Sequence, residues 1–150
     1  MFENKKIVIL GMARSGYEAA KVLIKRNNEV ILNDKNTNQD ESHIKELEDL
    51  GVKIILGNHP KDLIYESVDY VIKNPGIKDS HEMIVKAKEL GIEVINEVEM
   101  AYRLLLKNVT LIGITGSNGK TTTTSLTYEI LKNANLPASI TGKFAFFSIS

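Results

Sequence analysis

Short apolar runs alternate along this chain with segments of helical period, and that alternation restricts the fold more than any other feature. Lys6-Ile7-Val8-Ile9-Leu10 has strand length and an unbroken apolar stretch, as a strand buried on both faces requires. Glu29-Val30-Ile31-Leu32-Asn33, Lys53-Ile54-Ile55-Leu56, Val68-Asp69-Tyr70-Val71-Ile72 and Ile92-Glu93-Val94-Ile95 repeat the pattern. Between them, Ser15 to Asn27 carries Ala19, Ala20, Leu23 and Ile24 as a helical stripe. Asp40 to Leu50 buries Ile44, Leu47 and Leu50, and His81 to Leu90 forms another helix; Gly51 and Gly91 stand where these two stop. Strands alternating with helices predict a parallel sheet. The first 95 residues hold five such strands, enough for a Rossmann-like sheet.

One more helix closes this unit before a second begins. Glu97 to Leu106 reads as a helix, and Val109-Thr110-Leu111-Ile112-Gly113-Ile114 as a strand leading into Gly116-Ser117-Asn118-Gly119-Lys120-Thr121-Thr122. Helical sequence resumes from Thr121 to Ala134. Strand, glycine-rich turn with one lysine, and helix together make a triphosphate cradle. Glycines let successive N–H groups converge on phosphate oxygens, and the helix N-terminus adds its positive dipole end. Lys120 would reach the β- and γ-phosphates and the Thr121 hydroxyl would ligate Mg2+. The strict G-x-x-x-x-G-K-[ST] pattern fails, because Ile114 occupies its first glycine position. The competing reading is an ordinary βα turn with a solvent-facing lysine. The chain therefore reads as α/β: a Rossmann-like parallel sheet over residues 1–106, then the start of a P-loop ATPase domain over residues 107–150.

The first βα turn, Gly11-Met12-Ala13-Arg14-Ser15-Gly16, occupies the place of a dinucleotide fingerprint. Ala13 replaces the glycine that lets backbone approach a pyrophosphate closely, and Asp34 ends the second strand where an acid can take a ribose hydroxyl. Three readings stand: an NAD site, a turn without a ligand, or another nucleotide whose diphosphate meets donors from Arg14 and Ser15. Asn74-Pro75-Gly76-Ile77 forms a sharp turn after a strand, on the sheet edge that lines the ligand crevice of open α/β folds. Gly57-Asn58-His59-Pro60 is a similar turn with a weaker claim, and His59 reads as structural or surface.

Composition narrows the function classes. Nineteen basic and nineteen acidic residues cancel, which argues against a broad phosphate-backbone surface and hence against nucleic acid. No apolar run nears the roughly 20 residues that span a bilayer, and the first residues lack a signal-peptide pattern. Zero cysteines exclude disulfides and thiolate metal sites; the histidines His43, His59 and His81 lie far apart, without ligand spacing. A cytoplasmic soluble protein is expected.

With both loops in view, the chain resembles the Mur ligases of peptidoglycan synthesis, and within them the branch that adds D-glutamate. The likeness runs from about Lys6 to Gly142. It rests on Gly11-Met12-Ala13-Arg14-Ser15-Gly16-Tyr17, Asn33-Asp34, Lys73-Asn74-Pro75-Gly76-Ile77, Glu97-Val98-Glu99 and Gly113 to Thr122. It implies that Arg14, Ser15 and Gly16 contact the UDP diphosphate, that Asp34 and Lys35 lie by the uracil, and that Asn74, Pro75 and Gly76 flank the same nucleotide. Gly116, Ser117, Asn118, Gly119, Lys120, Thr121 and Thr122 would hold ATP, with Lys120 catalytic and Thr121 on Mg2+. The implied reaction phosphorylates the carboxylate of UDP-MurNAc-L-alanine and lets D-glutamate attack the acyl phosphate, in a protein monomeric at full length. After Gly142 the aromatic tail Lys143 to Ser150 reads as unlike the family and without a partner. A chain of this length is expected to lack the later metal ligands and the D-glutamate pocket, and so to be inactive alone. Two other classes stay open: an NAD-dependent oxidoreductase and a non-catalytic nucleotide-binding module.

Overall fold

The computed structural model describes residues 1–60, 62–105, 109–141 and 144–148. It divides into two units, Met1–Leu104 and Leu105–Ser150. The boundary expected between residues 106 and 107 lies outside the described residues.

The first unit is an open five-stranded sheet. Its strands are β1 (Lys6–Leu10), β2 (Glu29–Asp34), β3 (Lys53–Leu56), β4 (Tyr70–Lys73) and β5 (Glu93–Asn96), all parallel, in the order β3-β2-β1-β4-β5. The side chains of β1 alternate between two cores. Ile7 and Ile9 join Val30, Leu32 and Ile72 on one face, under Ala19, Ala20 and Leu23 of α1 (Arg14–Ile24), Leu47 of α2 (Glu41–Asp49) and Met100 of α4 (Glu97–Leu104). Val8 and Leu10 join Ile31 and Val71 on the other, against Met83, Ile84 and Ala87 of α3 (Glu82–Glu89) and the loop residues Leu63 and Ile64. Burial on both faces is why β1 reads as an uninterrupted apolar run. Each fully buried Ile or Leu contributes about 1.5–3 kcal/mol of transfer free energy.

Helix ends follow local chemistry. Asp40 caps α2 by accepting from the Ser42 N–H at 2.8 Å, and the His81 ring caps α3 by accepting from the Met83 N–H at 3.4 Å. Beyond α2, the Gly51 N–H reaches the Glu48 carbonyl and the Val52 N–H the Leu47 carbonyl, both at 2.9 Å. Gly91 and Ile92 close α3 in the same way onto Lys88 and Ala87. Strand β4 begins two residues later than its apolar run suggests. The Asp69 carboxylate there accepts from the Lys6 N–H at 2.8 Å and from Lys5 Nζ at 2.9 Å, so its side chain performs part of the pairing.

In the second unit β6 (Val109–Gly113) leads through the glycine-rich loop into α5 (Lys120–Asn133), followed by β7 (Ala138–Thr141) and β8 (Phe144–Ser148). The strand order is β6-β8-β7, with both pairings antiparallel. This corrects the expectation that the tail lacks a partner: β8 pairs its backbone with both neighbours. A strand returning along its predecessor after so short a connection must run antiparallel. Lys143, Ile149 and Ser150 lie outside the described residues. Helix α5 turns Thr124 inward and leaves Leu126 and Ile130 exposed. No helix among the described residues is long and apolar enough to cross a membrane.

Candidate functional site

Strand order places the first site. From β1 the chain winds outward through β2 to β3, then returns to the other side of β1 with β4. The carboxyl ends of β1 and β4 are therefore adjacent at the point where the order reverses, and such a point opens the ligand crevice of an α/β sheet. The loops there touch. The Asn74 N–H donates to the Leu10 carbonyl at 3.0 Å, and a Cβ built on Gly11 would lie 3.1 Å from that of Asn74.

Helix α1 begins at this crevice. It starts one residue earlier than its stripe predicts, so Arg14, Ser15 and Gly16 form its first turn. Ala13 stands at its cap without a side-chain hydrogen bond, and no acidic residue lies in the first turn. A helix start without a side-chain cap among the described residues suits an anion. Arg14 and Ser15 are exposed, whereas Gly16 is buried. A Cβ on Gly16 would stand 1.9 Å from the Gly11 carbonyl oxygen, so the absence of a side chain here lets helix and loop pack closely.

The other expected residues sit around the same rim. Asp34 ends β2, and its carboxylate accepts from the Met12 N–H at 2.6 Å and from the Asn36 N–H at 2.8 Å. Each oxygen thus holds one backbone N–H, which fixes the carboxylate at the rim. Lys35 beside it is exposed. The Asn74 Oδ1 accepts from the Gly76 N–H at 2.9 Å, shaping the turn that exposes Pro75 and Gly76. Lys73 anchors the same turn through the Ile77 carbonyl at 2.7 Å and Asp79 at 2.9 Å; that pairing holds the Asp79 carboxyl below its usual range.

Two features escaped the sequence reading. The Ser15 hydroxyl donates to Glu97 Oε1 at 3.0 Å and accepts from Asn74 Nδ2 at 3.4 Å. Glu97, the first residue of α4, is only 6% exposed, and its Oε2 has no hydrogen-bond partner among the described residues. The signal was an acid directly after β5, at the carboxyl edge of a parallel sheet. The second feature joins histidines that the sequence separates. Asn33 Nδ2 donates to the carbonyls of Ile55 and Asn58, so its Oδ1 accepts from His59 Nδ1, and the His59 ring meets that of His81 edge to face at 4.9 Å. Burial first, then the neighbouring His81, push the His59 imidazole below its ordinary value.

The phosphate loop lies wholly within the second unit. Gly116 has φ +149° and Gly119, at the cap of α5, has φ +75°, a conformation that side chains disfavour. Among the described residues no side chain caps α5. Lys120 Nζ folds back over the loop, donating to the Gly116 carbonyl and, at 3.1 Å, to that of Ser117. Ser117, Asn118, Thr121 and Thr122 are exposed around it. A glycine-rich loop, a helix N-terminus and an ammonium held among the described residues by two carbonyls fit a polyphosphate.

Comparison with known proteins decides the family. The Mur ligase MurD-like N-terminal domain matches residues 5–96, and the Mur ligase middle domain matches residues 114–147. This chain belongs to the MurD-like Mur ligases. The middle-domain match extends past Gly142, where the sequence reading ended the likeness, so most of the aromatic tail falls within the family pattern. The chain is 44% identical over 145 residues to the UDP-N-acetylmuramoylalanine–D-glutamate ligase of Streptococcus mutans, covering 97% of this chain and 32% of that protein. It is 46% identical over 135 residues to the enzyme of the same name from Enterococcus hirae, covering 90% and 29%. The chain thus spans about a third of the length of the curated relatives it matches. Among solved structures, the UDP-N-acetylmuramate–alanine ligase of Thermotoga maritima is 26% identical with a TM-score of 0.54, covering 92% of this chain and 32% of that one. A murein peptide ligase from Psychrobacter arcticus, 22% identical with a TM-score of 0.61 over 89% of this chain and 27% of its own, shares the fold.

Proposed function

We propose that this Mur ligase chain supplies the UDP-substrate unit and the phosphate loop of an enzyme that adds D-glutamate to UDP-N-acetylmuramoyl-L-alanine at the expense of ATP. The observation that carries this reading is the uncapped start of α1 at the reversal point of the sheet, with a second, separate glycine-rich loop downstream. A dinucleotide oxidoreductase needs one such crevice; a ligase that activates a UDP-linked carboxylate with ATP needs two anion sites. The names of the relatives support the choice of amino acid and sugar.

The first-turn N–H groups of α1, with Arg14 beside them, would take the UDP diphosphate, while Lys35 and the Asn74-Pro75-Gly76 turn would flank the base. Asp34 acts from behind, holding the Met12 N–H and so the loop's shape. In the second unit the N–H groups from Gly116 to Thr122 would hold the ATP phosphates. Lys120 would leave the carbonyls of Gly116 and Ser117 for the β- and γ-oxygens, exchanging neutral acceptors for charged ones. Positioning and charge stabilisation dominate phosphoryl transfer, which makes Lys120 the residue on which the chemistry depends. Thr121 would contribute its hydroxyl to a Mg2+ ion, whose charge offsets that of the phosphates. A reaction consuming ATP and a UDP-sugar belongs in the cytoplasm.

Amide-resolved NMR titrations test this assignment. UDP should shift the Gly11 to Gly16, Asn74 and Gly76 amide resonances and leave Gly116 to Thr122 unmoved, and MgATP should do the reverse. Both ligands shifting one common set of amides would contradict a two-site ligase.

A further inference from the structure

The Ser15–Glu97 contact links the crevice to the last helix of the first unit. Glu97 is a buried acid whose carboxylate, among the described residues, accepts from Ser15 at one oxygen and has no partner at the other. Burying a carboxylate with an unmet oxygen costs free energy, so the position is a poor choice for stability alone. The Ser15 hydroxyl has one proton, which goes to Glu97, and its lone pairs then face the Asn74 amide. Asn74 in turn fixes the Gly76 N–H through Oδ1. The relay Glu97–Ser15–Asn74–Gly76 therefore joins the starts of α4 and α1 to the turn after β4. These are the elements that converge on the crevice.

We propose that Glu97 is a positioning residue of the first nucleotide site, orienting Ser15 and, through it, the Asn74-Pro75-Gly76 turn. The inference rests on the reading of this crevice as a UDP site. Glu97 contacts no ligand in this role. It removes the rotational freedom of the Ser15 hydroxyl and fixes the turn before the nucleotide arrives, which cuts the ordering cost of binding.

A double-mutant cycle on the 150-residue chain, read by calorimetric titration with UDP, tests this. Glu97→Ala is expected to weaken UDP binding about tenfold, comparable to loss of one charge-assisted hydrogen bond. Glu97→Gln keeps an oxygen acceptor for Ser15 and should restore binding to within about twofold. In a Ser15→Ala background Glu97→Ala should add little, because the relay is already cut. Side-chain amide shifts of Asn74 and the backbone amide shift of Gly76, recorded without ligand, should move in Glu97→Ala and Ser15→Ala but not in Glu97→Gln. Additive losses in the cycle, a glutamine variant as damaged as the alanine one, or unmoved Asn74 and Gly76 resonances would each overturn the proposal. Failure of the unaltered chain to bind UDP would overturn the functional reading and the nucleotide role of Glu97 with it. The ligand-free shifts would still decide whether Glu97 orders the loop, so the two failures are told apart.

Discussion

Lys120→Ala should reduce the affinity of the second unit for MgATP by roughly 10- to 100-fold, the worth of a hydrogen bond to a charged group. UDP affinity should remain unchanged within error. Lys120 is the lysine of the phosphate loop, and its ammonium rests on the Gly116 and Ser117 carbonyls, a place it can leave without breaking the fold. In a ligase assay on a protein of the relatives' length, the same substitution should lower the rate of amide formation by about 10^3-fold or more. The ground-state loss is only part of the effect, since the lysine also meets charge that develops during phosphoryl transfer. Titration with ATP and with UDP, each followed by calorimetry, checks the separation. Equal loss of both affinities would show that the substitution had disturbed the whole chain. Unchanged ATP binding would remove Lys120 from the site.

Gly16→Ala should be the most damaging small substitution in the first unit. The added methyl would sit 1.9 Å from the Gly11 carbonyl oxygen and 3.1 Å from its carbon, and both are backbone atoms. No side-chain rotation relieves such a clash; either α1 or the loop must move. Overpacking costs about 1–3 kcal/mol where side chains can adjust, and a backbone clash belongs at or above the top of that range. A loss of about 3 kcal/mol lowers the melting temperature of a unit of this size by roughly 12 °C or more. Gly76→Ala is the control, because its Cβ would meet only Asn74 Oδ1 at 3.3 Å, an atom that can yield. Circular-dichroism melts of the two variants should differ widely. A Gly16→Ala protein melting within 2 °C of the parent, read against the roughly 12 °C drop expected, would mean that α1 and the first loop are not held as close as described.

The sheet was legible because its strands are buried on both faces. Ile7 to Leu10 carry no polar residue, since either face of β1 meets a core. Helix stops at Gly51 and Gly91 were legible because the chain must turn there through backbone that glycine accepts readily. Residues around the crevice were partly legible. Asp34 and Ser15 stand where a nucleotide fold places ligand groups, yet their hydrogen bonds go to Met12 and Glu97. Sequence marks the position of such a residue but not the direction in which its side chain bonds. Glu97 belonged to a motif of the family likeness, but its bond to Ser15 did not show, because a single acid opening an amphipathic helix looks like an ordinary first-turn charge. The His59–His81 contact was hidden for another reason: it depends on how the loop after β3 and the start of α3 meet in space. The antiparallel pairing of β8 was missed because an aromatic tail carries strand propensity without naming its partner.

The central claim is that the crevice at the reversal point of the first sheet takes a uridine nucleotide and not a dinucleotide. Calorimetric titration of the unaltered 150-residue chain with UDP, and separately with NAD, measures this directly. The account predicts saturable UDP binding that NAD at equal concentration does not displace, and that Lys120→Ala leaves intact. NAD binding more tightly than UDP, or displacing it, would contradict the account.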